Sequence, residues 1–429
     1  MFHYDLYGKR EAKYEFLNEN SLGSIPYILI PNKAPNYFMV QKDFNQQKNY
    51  DTGFKVSDLF SLSSTGVLTA KDSITIDFNK ERLFKRITDF HEKEADELRT
   101  LYGITKESAD WSIANVKADL KSNYDKELIT SYNYRLFDSR FIYYTGNHRG
   151  VIAAPRVKVM QHVFKKPNIE LVLCRQTATS EWQHVFICRS LFDDSYLSNK
   201  TKERGYAFPL YLYPPDIQQH QNPEAGRVPN FNEGIISQIK SSLGLDFDDK
   251  IEHSNEKFSS NNGEQIAINQ VFTPLNILDY IYAVLHSPSY RETYKEFLRI
   301  DFPKVPYPKN GSTFWQLVKL GGQLRQLHLL ESRDVENYIT QYPAGGDNLV
   351  EKISYREGKV YINDDQYFAN VPDVVWNFYI GGYQPAQKWL KDRKGTALGL
   401  DEIRHYQKMV VSLFRTHEIT QQIDRINFL

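Results

Sequence analysis

Tyr134-Arg135-Leu136-Phe137-Asp138-Ser139-Arg140-Phe141-Ile142-Tyr143-Tyr144 opens the part of the chain whose reading decides the fold. It ends in the β-type run Phe141–Tyr144 and sets Arg135 and Arg140 among aromatic side chains. Two more short runs of β-branched and aromatic residues follow, 169–174 and 184–188. Ala207-Phe208-Pro209-Leu210-Tyr211-Leu212-Tyr213 reads as a fourth. Pro209 has no N–H for a ladder, so this strand is expected at a sheet edge or to start late. Residues 216–266 are polar with Gly, Asn and Gln, and are expected to include a mobile loop.

Outward toward the C-terminus, helical signals take over. Thr273-Pro274 reads as a helix start, with Ile277, Leu278, Ile281, Val284 and Leu285 as its apolar stripe. Ser287-Pro288 starts a second helix carrying Tyr290, Tyr294, Phe297 and Leu298, which Pro303 stops. Ser312 is the expected cap of a third. Residues 350–362 read as a hairpin around Glu357-Gly358, and 400–427 as a helix broken near Thr416.

Toward the N-terminus, Ile25, Tyr27 and Leu29 are expected to form a hairpin with Phe38 and Val40 across a turn at 31–36. Residues 70–78 read as a strand. Leu83, Phe84, Ile87, Phe90 and Leu98 mark a helix over 79–99. Strands followed by helices give an α+β class. The expected divisions are 1–35, 36–130, 131–270 (β-rich) and 271–429 (mainly helical).

The 429 residues include 53 Lys plus Arg against 53 Asp plus Glu, which excludes a uniformly basic coat. Charge is uneven, however: residues 131–240 hold 14 basic and 9 acidic side chains. Aromatic content is high, with 29 Tyr and 26 Phe, and suits either an aromatic core or a stacking surface. Cys174 and Cys188 read as core thiols and are too few for a disulfide framework. No apolar run reaches membrane-spanning length and no signal peptide is visible, so a cytoplasmic protein is expected.

Catalytic motifs are missing from the sequence. It has no G-x-x-x-x-G-K-[ST], no G-x-G-x-x-G, no H-E-x-x-H and no G-x-S-x-G. Pro215-Asp216 is not followed by a Glu-x-Lys at the end of a plausible core strand, as a metal-dependent nuclease needs. An exocyclic-amine methyltransferase uses an Asn/Asp/Ser-Pro-Pro-aromatic loop to accept hydrogen bonds from its target amine. The Pro-Pro here, in Tyr213-Pro214-Pro215-Asp216, has the wrong neighbours.

What remains is the basic middle segment, which suits either a solvated sheet surface or a nucleic-acid face. Arg149, Arg156, Lys158 and Lys165 are candidate phosphate contacts, with Tyr144 beside them. Arg175, Gln176, His184, Arg189 and again Arg149 are candidate readers of base edges, because Arg and Gln can bond a base bidentately. Lys388, Arg393 and Lys394 form a second basic cluster that suits DNA contact or a packed corner.

The 134–144 run resembles the Y-R-P-F-D-x-R-x-x-Y-Y signature of the C-terminal specificity region of Type ISP restriction-modification enzymes and related adenine methyltransferases. Leu136 stands where the family usually has Pro. Further similar stretches follow in the family's order: 155–162, 208–213, 279–291, 300–306 and 379–395. His3-Tyr4-Asp5-Leu6-Tyr7-Gly8-Lys9-Arg10-Glu11 looks like the segment that follows the last catalytic motif of these enzymes. The resemblance implies that residues 1 to about 30 are strands left over from a methyltransferase sheet. It implies a target-recognition part that binds double-stranded DNA and is not catalytic alone. Its partner would be a missing methyltransferase domain or subunit. S-adenosylmethionine belongs to the full-length parent, with no cofactor in this chain. The alternative is a protein-interaction module that docks onto a separate methyltransferase or translocase subunit, through the edge of the N-terminal strands.

Overall fold

The computed structural model describes residues 1–30, 37–39, 41–179, 181–200, 203–214, 226–249 and 271–429. The turn expected at 31–36, Val40, Lys202, Pro215 and residues 216–225 and 250–266 lie outside the described residues, and between those last two stretches the chain forms a helix, Glu233–Leu243, rather than loop throughout. The described chain forms two compact units, Met1–Asn49 and Tyr50–Leu429. No helix among the described residues is long and apolar enough to cross a membrane.

In the first unit Phe2–His3 pairs antiparallel with Ile28–Leu29, and the helix Arg10–Glu19 lies between them in sequence. The strand partner of Ile28–Leu29 is therefore the chain start, not the expected 38–40 segment. The helix buries none of its residues. Phe2, Tyr7, Leu22 and Leu29 are all exposed.

The second unit is a mixed α+β structure with several small sheets. One sheet has the antiparallel order Ser64–Thr65, Gly205–Pro209, Glu170–Cys174, Val185–Cys188. The strand holding Pro209 is internal rather than at the edge. Ser64–Thr65 reaches only Tyr206 and Ala207, so Pro209 lies beyond that ladder and its missing N–H leaves no gap. A second sheet joins Ile76–Asp77, Asp138–Tyr143 and Ile129–Arg135. The residues before Ile76 form a short helix, Asp72–Thr75, where a longer strand was expected. The third sheet is Ser354–Arg356, Lys359–Tyr361 and Tyr367–Phe368. Its hairpin turns at Glu357 and Gly358, with φ of 49° and 76°.

Helices start where side chains can take their free N–H groups. Asn79 caps Lys80–Glu92, and the chain bends at Lys93-Glu94 before a second helix, Ala95–Tyr102. Thr273 and Asn276 form a capping box on Pro274–His286. Ser287 caps Pro288–Thr293, and Lys295–Leu298 continues as a separate turn. Gly311–His328 is capped by Asn310, whose Oδ1 accepts from Thr313 N–H at 2.9 Å, rather than by Ser312. Leu400–Asp424 runs unbroken through Thr416, whose hydroxyl donates to the Ser412 carbonyl within the helix.

Pro274–His286 and Gly311–His328 approach so closely that a Cβ on Gly321 would sit 1.8 Å from the Asp279 carbonyl oxygen. Arg325 then reaches the Asp279 carboxylate with two bonds, 2.7 and 3.1 Å. One hydrophobic core joins the middle strands to the C-terminal part, with Phe186, Phe192 and Cys188 packed in the same cluster as Phe368, Trp389 and Tyr406. A second core sits under the 80–120 helices around Phe90, Trp111 and Val116.

Candidate nucleic-acid interface

The 134–144 stretch is a hairpin, and its side chains hold the unit together. Arg135 and Asp138 pair across the two-residue turn, in which Phe137 has φ 58°. Arg135 bonds Asp193 at 2.8 Å and lies over the Tyr134 ring. Burial pushes the Asp193 carboxyl up to about 6 even against the facing Arg135 guanidinium. Asp138 is 1% exposed and bonds both Arg140, at 2.8 Å, and Arg393, at 3.0 Å. Leu136 donates its N–H to the buried Tyr383 hydroxyl at 2.9 Å, a donor that Pro would lack. The basic and aromatic side chains of this run face partners within the chain.

Three sequence candidates are thereby placed inside. Tyr144 is 4% exposed, and its hydroxyl donates to the Pro155 carbonyl at 2.9 Å. Arg393 is 5% exposed, bonds Asp138 and Glu402, and stacks on Trp389. His184 is fully buried with its Nε2 3.1 Å from Glu203. Burial would raise the Glu203 carboxyl, but His184, Ser198 and the Ala178 N–H hold it down to about 2. None of the three presents a surface that a phosphate or a base edge could meet.

The remaining candidates sort by segment. Residues 145–166 carry Arg149, Arg156, Lys158 and Lys165. Asp119, itself buried, pins the start of this segment: it accepts from Thr145 Oγ1 at 2.8 Å, Asn147 Nδ2 at 2.7 Å and the Val151 N–H at 2.8 Å. Gly150 permits that grip, because a Cβ there would lie 2.0 Å from Asp119 Oδ2. The loop so fixed exposes Asn147, His148 and Arg149. Arg149, Arg156 and Lys165 have φ of 56°, 57° and 54°. Non-glycine residues adopt this region at a cost and cluster in it at functional sites. Arg149 meets the exposed Asp110, at 3.4 Å, and Lys165 the exposed Glu127, at 3.7 Å, and the Phe164 ring, at 5.7 Å. Lys158 is exposed and has no partner among the described residues. Arg156 is half-buried within electrostatic range of Asp194.

Arg175 and Gln176 leave the far end of Glu170–Cys174. That strand, about 17 Å long at 3.3 Å per residue, lies between them and Lys165 in the sequence. Arg175 bonds Asp301 at 3.0 Å through Nε, and Gln176 is exposed. The next N–H, of Thr177, donates to the Arg299 carbonyl and fixes the turn. Arg189 follows Cys188, which pairs with Glu170, so it returns to the Lys165 end. Its guanidinium is taken by Glu331 at both Nε and Nη2. Lys388 is held by Asp392 one helical turn on, and Lys394 is exposed. The structure thus brings four candidates onto one pinned segment, sets Arg175-Gln176 at the other end of the strand, and buries three. Asp119, Gly150 and the strained backbone were not signalled by the sequence.

The Type ISP C-terminal specificity domain model matches residues 58–422. The chain belongs to this family. No curated protein matches the sequence. Among solved structures, this specificity domain is similar in fold to the DrdV–DNA complex, with a TM-score of 0.67 and 19% identity over 97% of this chain and 42% of that one. It is similar to a nuclease-deletion mutant of the Type ISP restriction-modification enzyme LlaGI in complex with a DNA substrate mimic, with a TM-score of 0.64 and 16% identity over 98% of this chain and 38% of that one. It is also similar to the ATP-dependent Type ISP enzyme LlaBIII bound to DNA, with a TM-score of 0.63 and 15% identity over 94% of this chain and 26% of that one. The specificity domain therefore spans less than half the length of each of these enzymes.

Proposed function

We propose that this specificity domain recognises a double-stranded DNA sequence for an adenine methyltransferase or restriction-modification enzyme. The observation that carries the proposal is the pinned basic segment. Arg149 is exposed on a loop held by Asp119, Lys158 on the short helix Val157–Met160 and Lys165 just after it, with Arg149, Lys165 and the half-buried Arg156 in a strained backbone. Such a loop loses little further entropy when it meets a phosphate backbone. Family membership and three DNA-bound structural neighbours support the same reading.

In this account Arg149, Arg156, Lys158 and Lys165 contact phosphates and set register. Arg175 and Gln176 read base edges, and Lys394 adds an outlying phosphate contact. Arg175 reads through the Nη atoms that its Nε bond to Asp301 leaves open, and Arg189 and Lys388 contribute only if their carboxylate partners release them. The domain holds the duplex while a base is turned out into the catalytic part of the enzyme. Titration of duplex binding against salt tests this. Alanine at Arg149, Lys158 and Lys165 together is expected to weaken all sequences alike and to lower the salt slope by about one per lost phosphate contact. Unchanged affinity and slope would remove the proposed face.

A second reading rests on the N-terminal unit. Phe2, 73% exposed, and Leu29, 68%, lie on a two-stranded ladder, and Tyr7 and Leu22, each 82% exposed, lie in the connections between that ladder and the helix. This unit is the expected remnant of a methyltransferase sheet, and it would dock to a methyltransferase or translocase part. Tight binding to such a fragment with indifference to DNA would favour this reading over recognition.

A further inference from the structure

Buried guanidinium groups in this domain come with carboxylates: Arg135 with Asp193, Arg325 with Asp279, Arg393 with Asp138. Arg291 does not. It follows the Ser287 cap, donates Nε to the Leu285 carbonyl at 2.6 Å and leans over the Trp182 ring. Its Nη1 and Nη2 have no acceptor among the described residues. Burial lowers it to about 10, which leaves it charged at neutral pH. A half-buried guanidinium with both Nη groups open can take a phosphate or carboxylate with paired hydrogen bonds.

Arg291 lines a cleft of about 470 Å³, a volume suited to a small organic ligand rather than a bare ion. Phe378 and Tyr379 line it too, half-buried and 47% exposed, and neither ring has an aromatic partner among the described residues. The exposed Asn377 amide has no side-chain hydrogen bond among them either. His286 is 3% exposed and in the same wall. Its Nδ1–H donates to the Tyr282 carbonyl at 2.8 Å, so Nε2 is an unpartnered acceptor. A phosphate would not use that acceptor, but a sugar hydroxyl or base amine would. The indole N–H of Trp182, 2% exposed, is also unpartnered. The acids of the cleft are occupied in part: Glu292 bonds Lys295 at 2.5 Å, and Glu181 accepts from Gln183 at 3.2 Å.

We propose that this cleft binds a single nucleotide unit, with the phosphate on the Arg291 guanidinium and the base against Phe378 and Tyr379 within reach of Asn377. The nucleotide is either free or the phosphorylated end of a strand. Calorimetric titration of the full chain tests this with adenosine monophosphate, inorganic phosphate, and a short single strand with and without a 5′-phosphate. A nucleotide is expected to bind at least tenfold more tightly than inorganic phosphate. Preference for the mononucleotide would identify a free ligand, and preference for the 5′-phosphorylated strand a strand end. Arg291→Met is expected to lose at least tenfold of this binding while the protein stays folded, with only a small fall in melting temperature from the lost bond to the Leu285 carbonyl. Asn377→Ala, at an exposed site that folding does not depend on, is expected to weaken nucleotide but not phosphate binding. Duplex binding by the Arg149–Lys165 segment should survive both changes, so its loss or retention is judged separately. No binding of any nucleotide probe, full binding by Arg291→Met, or binding of inorganic phosphate as tight as that of the nucleotide would overturn the proposal.

Discussion

Asp138→Asn separates a scaffold from a contact surface. Asp138 is the point where the 134–144 hairpin is tied to the C-terminal part: its two carboxylate oxygens take Arg140 at 2.8 Å and Arg393 at 3.0 Å. Asparagine keeps one acceptor oxygen but removes the charge. Arg140 then has no carboxylate, and Arg393 retains only Glu402, whose side chain is 38% exposed. Breaking a buried ion pair by removing one partner costs about 3–5 kcal/mol. The retained oxygen and the stacking of Arg140 over Tyr134, with its guanidinium carbon 3.8 Å from the ring centroid, put the expected loss near the lower end, about 3 kcal/mol. For a unit of this size that is roughly a 4 °C fall in melting temperature. Urea denaturation of Asp138→Asn, Arg393→Met and the double variant measures it, with a coupling of about 1–3 kcal/mol expected between the two sites. DNA affinity of the folded Asp138→Asn protein should stay within twofold of wild type. An unchanged midpoint, or folded protein that has lost DNA binding, would refute the assignment of this run to the interior.

Further outcomes follow from the same geometry. Glu170 is fully buried with one carboxylate oxygen unpartnered and the other 3.4 Å from the Cys188 thiol, and burial pushes it up to about 8. The folded state therefore holds a proton that the unfolded chain releases near 4.5, so stability falls as pH rises from about 4.5 to about 8. At pH 7 this costs about 3 kcal/mol, and Glu170→Gln should raise the urea midpoint at pH 7–8 and flatten its pH dependence. Gly150→Ala should weaken duplex binding for every sequence, because the new Cβ displaces the Asp119 carboxylate that pins the basic loop; equal binding by filter assay would count against a preorganised segment. Alanine at Arg175 and Gln176 together should cost about 1–3 kcal/mol on the preferred site and relax preference at one or two positions, read by sequencing the bound fraction.

Local signals were legible in the sequence. Thr273-Pro274 and Ser287-Pro288 both start helices, and Glu357-Gly358 turns a hairpin, because each depends only on backbone geometry within a few residues. Ser312 lost its cap role to Asn310, two residues earlier, whose side chain reaches the N3 amide. Thr416 suggested a break, yet its hydroxyl is satisfied inside the helix. The α+β order was legible from the succession of strands and helices, whereas the core runs across the change at residue 271 and ties Phe186 to Trp389. Composition placed the basic side chains but could not sort them. Arg393 and Arg149 look alike in sequence, and only the tertiary partners Asp138 and Glu402 take the first inside. Asp119 was invisible because its bonds span 26 to 32 residues.

The most direct test is selection of this specificity domain on a randomised duplex pool, with sequencing of the bound fraction at two salt concentrations. The account predicts an enriched motif of several base pairs that survives the higher salt and blurs at one or two positions when Arg175 and Gln176 are alanine. Binding that is blind to sequence and vanishes with salt would contradict it, since only the phosphate contribution would then be present.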